Sequence, residues 1–170
     1  MDNVTMTVRL SAVMEEVART TSYAGAKMMG EAGTRTANDG GAGTGEDDAL
    51  DRIATVDEDQ EELMRFWNES RAEIARALMQ MLVFEGMAED GDTYEVILNV
   101  TEDFDDALLP GMEHGLFSYF VQSITAKWFL YTNKQEAGGY AEIGKALLDD
   151  VRQKAFYKKA PKRPRYDEDE

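Results

Sequence analysis

Residues 109–133 read LPGMEHGLFSYFVQSITAKWFLYTN. This run holds five of the fourteen Phe and Tyr residues and one of the two Trp residues. Pro110 stands where a first helical turn would begin, the one helical place where a missing N–H costs little. Beyond it, Leu116, Phe117, Phe120, Val121, Ile124, Trp128 and Tyr131 recur at helical spacing. Tyr119, Phe129 and Leu130 fill much of the remaining circumference. A helix that is apolar nearly all round must be buried nearly all round. The pattern therefore predicts a central helix against which the other elements pack. Either one subunit encloses it, or a neighbouring subunit seals part of it through Phe117, Phe120, Ile124, Trp128 and Tyr131.

The flanking sequence supplies the elements that would cover this helix. Upstream, residues 83–100 change period: Tyr94, Val96, Leu98 and Val100 alternate with Glu95, Ile97 and Asn99. That is the two-residue signature of a strand. Asp90-Gly91 is a turn signal, so residues 83–88 are the expected partner in a hairpin. Residues 55–82 predict the second helix. Thr55 and Glu58 have capping-box spacing, and Asp57, Glu58 and Asp59 crowd the positive end of the helix dipole. Leu63, Phe66, Trp67, Ile74, Leu78, Met81 and Leu82 make its apolar face; Arg65, Glu69, Glu73 and Arg76 are placed to pair on the other.

A first helix is expected over residues 7–27, with Leu10, Val13, Met14 and Val17 on one face. Residues 28–48 carry Gly30, Gly33, Gly40, Gly41, Gly43 and Gly45 and lose all periodicity, as a flexible loop does. After the central helix, Gly138-Gly139 marks a break and residues 140–157 predict the last helix, with Tyr140, Ile143, Leu147, Val151 and Ala155 on one face. Pro161 and Pro164 then enforce an extended tail. The expected architecture is mainly α: a four-helix bundle-like subunit with one β-hairpin between the second and third helices. Residues 1–157 form a single domain, and residues 158–170 an extended charged tail.

Composition restricts the chemistry. The chain has no cysteine, so no disulfide framework or thiol nucleophile is available. Its 34 acidic and 18 basic residues give a formal charge of −16. The first 150 residues carry −19, and seven of the last twenty are basic. Such a body repels nucleic acid. GGAGTGEDD lacks the Lys-Ser/Thr of a phosphate loop, and no strand precedes it. The acidic run TEDFDDAL matches no EF-hand spacing, and turn and helix-capping charges account for it better than a metal does. The only histidine, His114, is expected to be structural. His114, Ser118, Gln122 and Thr125 make a narrow polar stripe, either a solvent edge or part of a subunit contact. No nucleophile, base and orienting group assemble from the sequence, so no enzyme, metal or cofactor is expected. No run is long and apolar enough to span a bilayer, so no membrane partner is expected either.

Three local patterns resemble the phage head–tail connector family, also described as adaptor or head completion proteins. The first is Thr55-Val56-Asp57-Glu58-Asp59-Gln60-Glu61-Glu62-Leu63, similar to that family's aspartate-rich lead into a long helix. The second is the central helix, opened by Leu109-Pro110 and closed by Trp128…Tyr131-Thr132-Asn133-Lys134, with Lys134 where the family usually has Arg. The third is a final amphipathic helix that runs into a tail. Together they cover roughly residues 50–160; the Gly-rich insert and the strong strand at 93–100 depart from the simplest members.

The resemblance implies a virion neck protein, assembled in the bacterial cytoplasm. It implies a homo-oligomeric ring between the portal protein and a neighbouring neck or tail protein, extending a channel through which DNA passes without specific binding. The tail residues Lys158, Lys159, Lys162, Arg163, Pro164, Arg165 and Tyr166 would dock on the portal. A stopper or terminator in the same neck, and an acidic protein that mimics DNA, are the competing expectations.

Overall fold

The chain begins with a strand, β1 (Asp2–Arg9), in which Val4, Met6 and Val8 are buried and the residues between them are exposed. The computed structural model describes residues 2–36, 55 and 57–158. Helix α1 (Leu10–Thr36) follows β1 directly. A turn of 3₁₀ helix (Asp57–Asp59) leads into α2 (Gln60–Leu78). Strands β2 (Leu82–Met87) and β3 (Thr93–Val100) come next. A second 3₁₀ turn (Asp106–Leu108) then leads into α3 (Leu109–Thr132) and α4 (Lys134–Ala155). The described residues are thus mainly helical, with four α-helices and a small antiparallel sheet in the order β1-β3-β2.

The hairpin turn carries the positive φ that favours glycine: Gly91 has φ +69°. Asp90 braces it, its carboxylate accepting from the Thr93 hydroxyl at 2.6 Å and from the N–H groups of Asp92 and Thr93 at 2.9 and 2.8 Å. The same turn starts α1. Asp92 accepts from the backbone N–H of Ser11 at 2.7 Å and from its hydroxyl at 2.8 Å, while Leu10 N–H donates to the Asp92 carbonyl. A carboxylate more than eighty residues away in sequence thereby fills the capping role at this helix N-terminus. On the other side, β3 lies antiparallel to β1, with Asp2 opposite Val100 and Arg9 opposite Thr93.

Helix α3 is the centre of the molecule, touching α1, α2, α4 and β1. Met112, Leu116, Phe120, Ile124 and Phe129 are fully buried. Phe120 stacks on Trp67 of α2 with ring centroids 3.9 Å apart, and Tyr94 of β3 meets both rings edge-on. This aromatic trio joins sheet, α2 and α3. Helix α4 returns antiparallel along α3. Their close approach depends on Gly115, where a Cβ would lie 2.7 Å from Val151 Cγ2.

Several boundaries differ from the sequence expectation. Residues 7–9 belong to β1 and not to the first helix, and the hairpin is two-thirds of a three-stranded sheet. Residues 28–36, expected in the Gly-rich loop, continue α1; residues 37–48 of that loop lie outside the described residues. Helix α2 starts at Gln60 and ends at Leu78, so Leu82 falls in β2. Thr55 does not form the expected capping box. Its N–H donates to Thr21 Oγ1 of α1, and Asp59 precedes α2 without a side-chain cap. Gly138-Gly139 is no break, because α4 already begins at Lys134. Packing of Ala137, Gly144, Leu148 and Val151 against α3 outweighs the roughly 1 kcal/mol that each helical glycine costs.

Candidate functional site

A polar constellation lies where α2 crosses α3. Ser70 and Glu73, three residues apart on α2, face Tyr119, Ser123 and Lys127, spaced by four on α3. Lys127 Nζ donates to Glu73 Oε1 at 2.9 Å, to Ser123 Oγ at 2.7 Å and, more weakly, to Ser70 Oγ at 3.4 Å. The two serine hydroxyls are 2.8 Å apart. Tyr119 donates to Glu73 Oε2 at 2.6 Å. Burial, and secondarily the Glu73 carboxylate that accepts its hydrogen bond, push the Tyr119 phenol well above its usual range.

A Ser–Lys pair at this distance has the spacing of a nucleophile and its base. The surroundings do not complete that chemistry. Lys127 has its donors committed to Glu73 and the serines. Ser123 sits in mid-helix, where backbone N–H groups already bond carbonyls four residues back and are not free to hold an oxyanion. The arrangement is chemically competent to lock α2 on α3. Beside it a groove of about 380 Å³ runs between α2, α3 and α4, with an apolar floor and wall that include Ala126, Leu130, Ala141 and Leu148. A second cleft of about 450 Å³ lies between α1 and α2, lined by Leu10, Met14, Ala18 and Leu63. Among the described residues no three His, Asp or Glu side chains converge as a metal set, and no helix is long and apolar enough to cross a membrane.

The residues singled out for subunit packing are separated by the fold. Phe120 and Ile124 are fully buried, and Trp128 is 8% exposed, all enclosed within the subunit. Phe117 is half-buried. Tyr131 is 69% exposed and stacks on Phe66, with Arg65 donating to its hydroxyl at 3.4 Å. His114 is exposed on the first turns of α3, with Phe117 alongside. The polar stripe passes from there into the core. Ser118 is half-buried and Thr125 is fully buried, with its hydroxyl and Gln122 Oε1 lacking a hydrogen-bond partner.

Of the tail residues, Lys158 is exposed and pairs with Phe104 in an isolated antiparallel bridge. Lys159, Lys162, Arg163, Pro164, Arg165 and Tyr166 lie outside the described residues. Sequence reasoning missed the α2–α3 polar lock. Its local signal, Ser123 and Lys127 at i,i+4, was visible; Ser70 is about fifty residues away and unmarked, and Glu73, expected to pair along its own helix, pairs across to Lys127.

Comparison of the chain with protein-family models, with curated proteins and with solved structures found no match.

Proposed function

We propose that this chain is a structural neck protein of the phage head–tail connector kind, a ring-forming subunit that joins a portal to a tail and extends the DNA channel. The observation that carries the reading is the helix order. A central helix opened by Leu109-Pro110 and closed at Thr132-Asn133 lies between an acid-led α2 and a final helix that delivers a basic tail. This is the order in which the resembling motifs occur. The formal charge of −16 supports it, since a wall that repels phosphate lets DNA slide. Because Tyr119, Phe120, Trp128 and Phe129 of α3 are enclosed within the subunit, ring contacts in this reading fall to outer surfaces such as the exposed Tyr131 and the helix grooves.

The test is joining. Native mass measurement and electron microscopy of the chain with portal rings should show a closed ring seated on the portal, and deletion of residues 158–170 should leave a folded subunit that no longer joins. A stable dimer that ignores portals, or joining that survives the deletion, counts against the proposal.

One observation favours a second neck role, stopper or terminator. The sheet is larger than a hairpin, and its edge strand β2 exposes Val83 and Phe84. An open edge can add strands from another chain. A ring seated on the tail side and not on the portal would select this role.

A further inference from the structure

We propose that the free edge of β1 pairs with β1 of a second copy of this chain, over residues 2–6, and that Glu113 sets where the pairing stops. Strand β1 ends the sheet and has β3 along one side only. Leu10 N–H continues that ladder by donating to the Asp92 carbonyl. Backbone groups alternate in direction along an antiparallel strand. Those of Val4, Met6 and Val8 therefore turn to β3, and those of Asn3, Thr5 and Thr7 turn outward. Thr7 bears this out. Its N–H donates to Glu113 Oε1 of α3 at 2.9 Å, and its hydroxyl donates to the same oxygen at 3.2 Å. Asn3 and Thr5 are exposed, and their outward backbone groups take no bond among the described residues.

An open edge alone would not name its occupant. The strand's own chemistry does. Residues 3–8, NVTMTV, carry no charge, in a chain whose formal charge of −16 otherwise repels its copies. On a two-fold axis at Val4, Asn3 of one copy lies opposite Thr5 of the other, and each such pair exchanges both N–H···O bonds. The faces then match. Val4 meets Val4 on the core side, Asn3 meets Thr5 on the exposed side, and Asp2 meets the uncharged Met6. No like charges are opposed. An axis at Thr5 would give a longer overlap, but it sets Asn3 against Thr7, whose N–H Glu113 already holds. Glu113 thus selects the shorter register. The other edge strand, β2, carries Glu85 and a register shift between Leu82 and Phe84, both of which disfavour self-pairing.

An overlap this short is far below the roughly 1,200 Å² of a stable interface, so the dimer is weak and is best trapped covalently. It does not rest on the neck proposal, and portal joining neither supports nor weakens it.

The chain has no cysteine, so introduced thiols report this contact alone. An equal mixture of full-length Asn3→Cys and Thr5→Cys chains is oxidised gently and its products are weighed by mass spectrometry. Directly opposed residues lie within disulfide reach, whereas like residues sit on the diagonal, about 7–8 Å apart and beyond it. The mixed disulfide should therefore exceed the ratio of random collision by about five-fold or more. In a Glu113→Ala background the Thr7 N–H is freed, and the Thr5→Cys homodisulfide should rise; Glu113→Gln keeps an acceptor oxygen and should behave as the parent. Thr5→Pro removes an outward donor and spares the β1–β3 ladder. It should keep the parent's circular dichroism and lose the rise of sedimentation mass with concentration. Products in the ratio of random collision, or self-association that survives Thr5→Pro, would overturn the pairing. A Thr5→Cys homodisulfide that dominates with Glu113 in place would overturn the register.

Discussion

Lys127 Nζ lies 2.9 Å from one oxygen of Glu73, and the Tyr119 hydroxyl lies 2.6 Å from the other. One carboxylate of α2 thus holds two residues of α3. The Lys127 side chain is 17% exposed and that of Glu73 is 45% exposed, so the ion pair is partly screened. Lys127→Met should lower unfolding free energy by about 1–2 kcal/mol, less than for a fully buried charged hydrogen bond. Urea denaturation of both chains reads this directly, and an unchanged midpoint would show that the network holds nothing.

Two buried tyrosines should respond oppositely to loss of their hydroxyls. Tyr119 donates to Glu73, so Tyr119→Phe should cost about 1 kcal/mol. The Tyr94 hydroxyl is buried without a hydrogen-bond partner, so Tyr94→Phe should be neutral or stabilising. Paired denaturation curves test the contrast.

Alkaline pH gives these tyrosines a second signature. Burial first, and then the nearby Glu85 and Glu73 carboxylates, raise both phenols above their ordinary value of 10. The unfolded chain then releases protons that the folded chain keeps. Stability is therefore full below about pH 10 and falls as pH rises beyond it. Tyr94→Phe should flatten that fall, measured as midpoint against pH.

Asp90 provides the acid counterpart. Hydrogen bonds from the Thr93 hydroxyl and then the Thr93 and Asp92 N–H groups hold its carboxyl at about 2, against an ordinary 3.8. The depressed value means that its contribution is present above about pH 4 and is lost as pH falls towards 2. Asp90→Asn should shrink the acid-dependent part of the stability profile while the hairpin still forms.

Two glycines of the α3–α4 pair should behave as opposites. Gly115→Ala would drive a Cβ into the fully buried Val151 and should cost about 1–3 kcal/mol. Gly138 is exposed inside α4 and a Cβ there meets nothing within 4 Å, so Gly138→Ala should stabilise by about 1 kcal/mol. Thermal melts of the two variants should move in opposite directions.

What the sequence determined by itself was the set of local elements whose periodicity is strong. The all-round apolar run at residues 109–133 became the buried α3. The alternation from Tyr94 to Val100 became β3, and Asp90-Gly91 became the turn with positive φ. These follow from side-chain spacing and backbone sterics, which act over a few residues.

The rest depended on partners distant in the chain. Val4, Met6 and Val8 alternate, yet a strand there is stable only because β3, some ninety residues later, supplies its hydrogen bonds. Helix α4 runs through Gly138-Gly139 because Ala137 and Gly144 pack on α3. The pairing of Ser70 and Glu73 with Ser123 and Lys127, and the seating of Lys158 beside Phe104, exist only once the helices are docked. Tertiary structure also decided that Tyr119, Phe120, Trp128 and Phe129 of α3 are covered within the subunit, by helices and strand β1 that pack on it, while Leu130 and Tyr131 stay exposed.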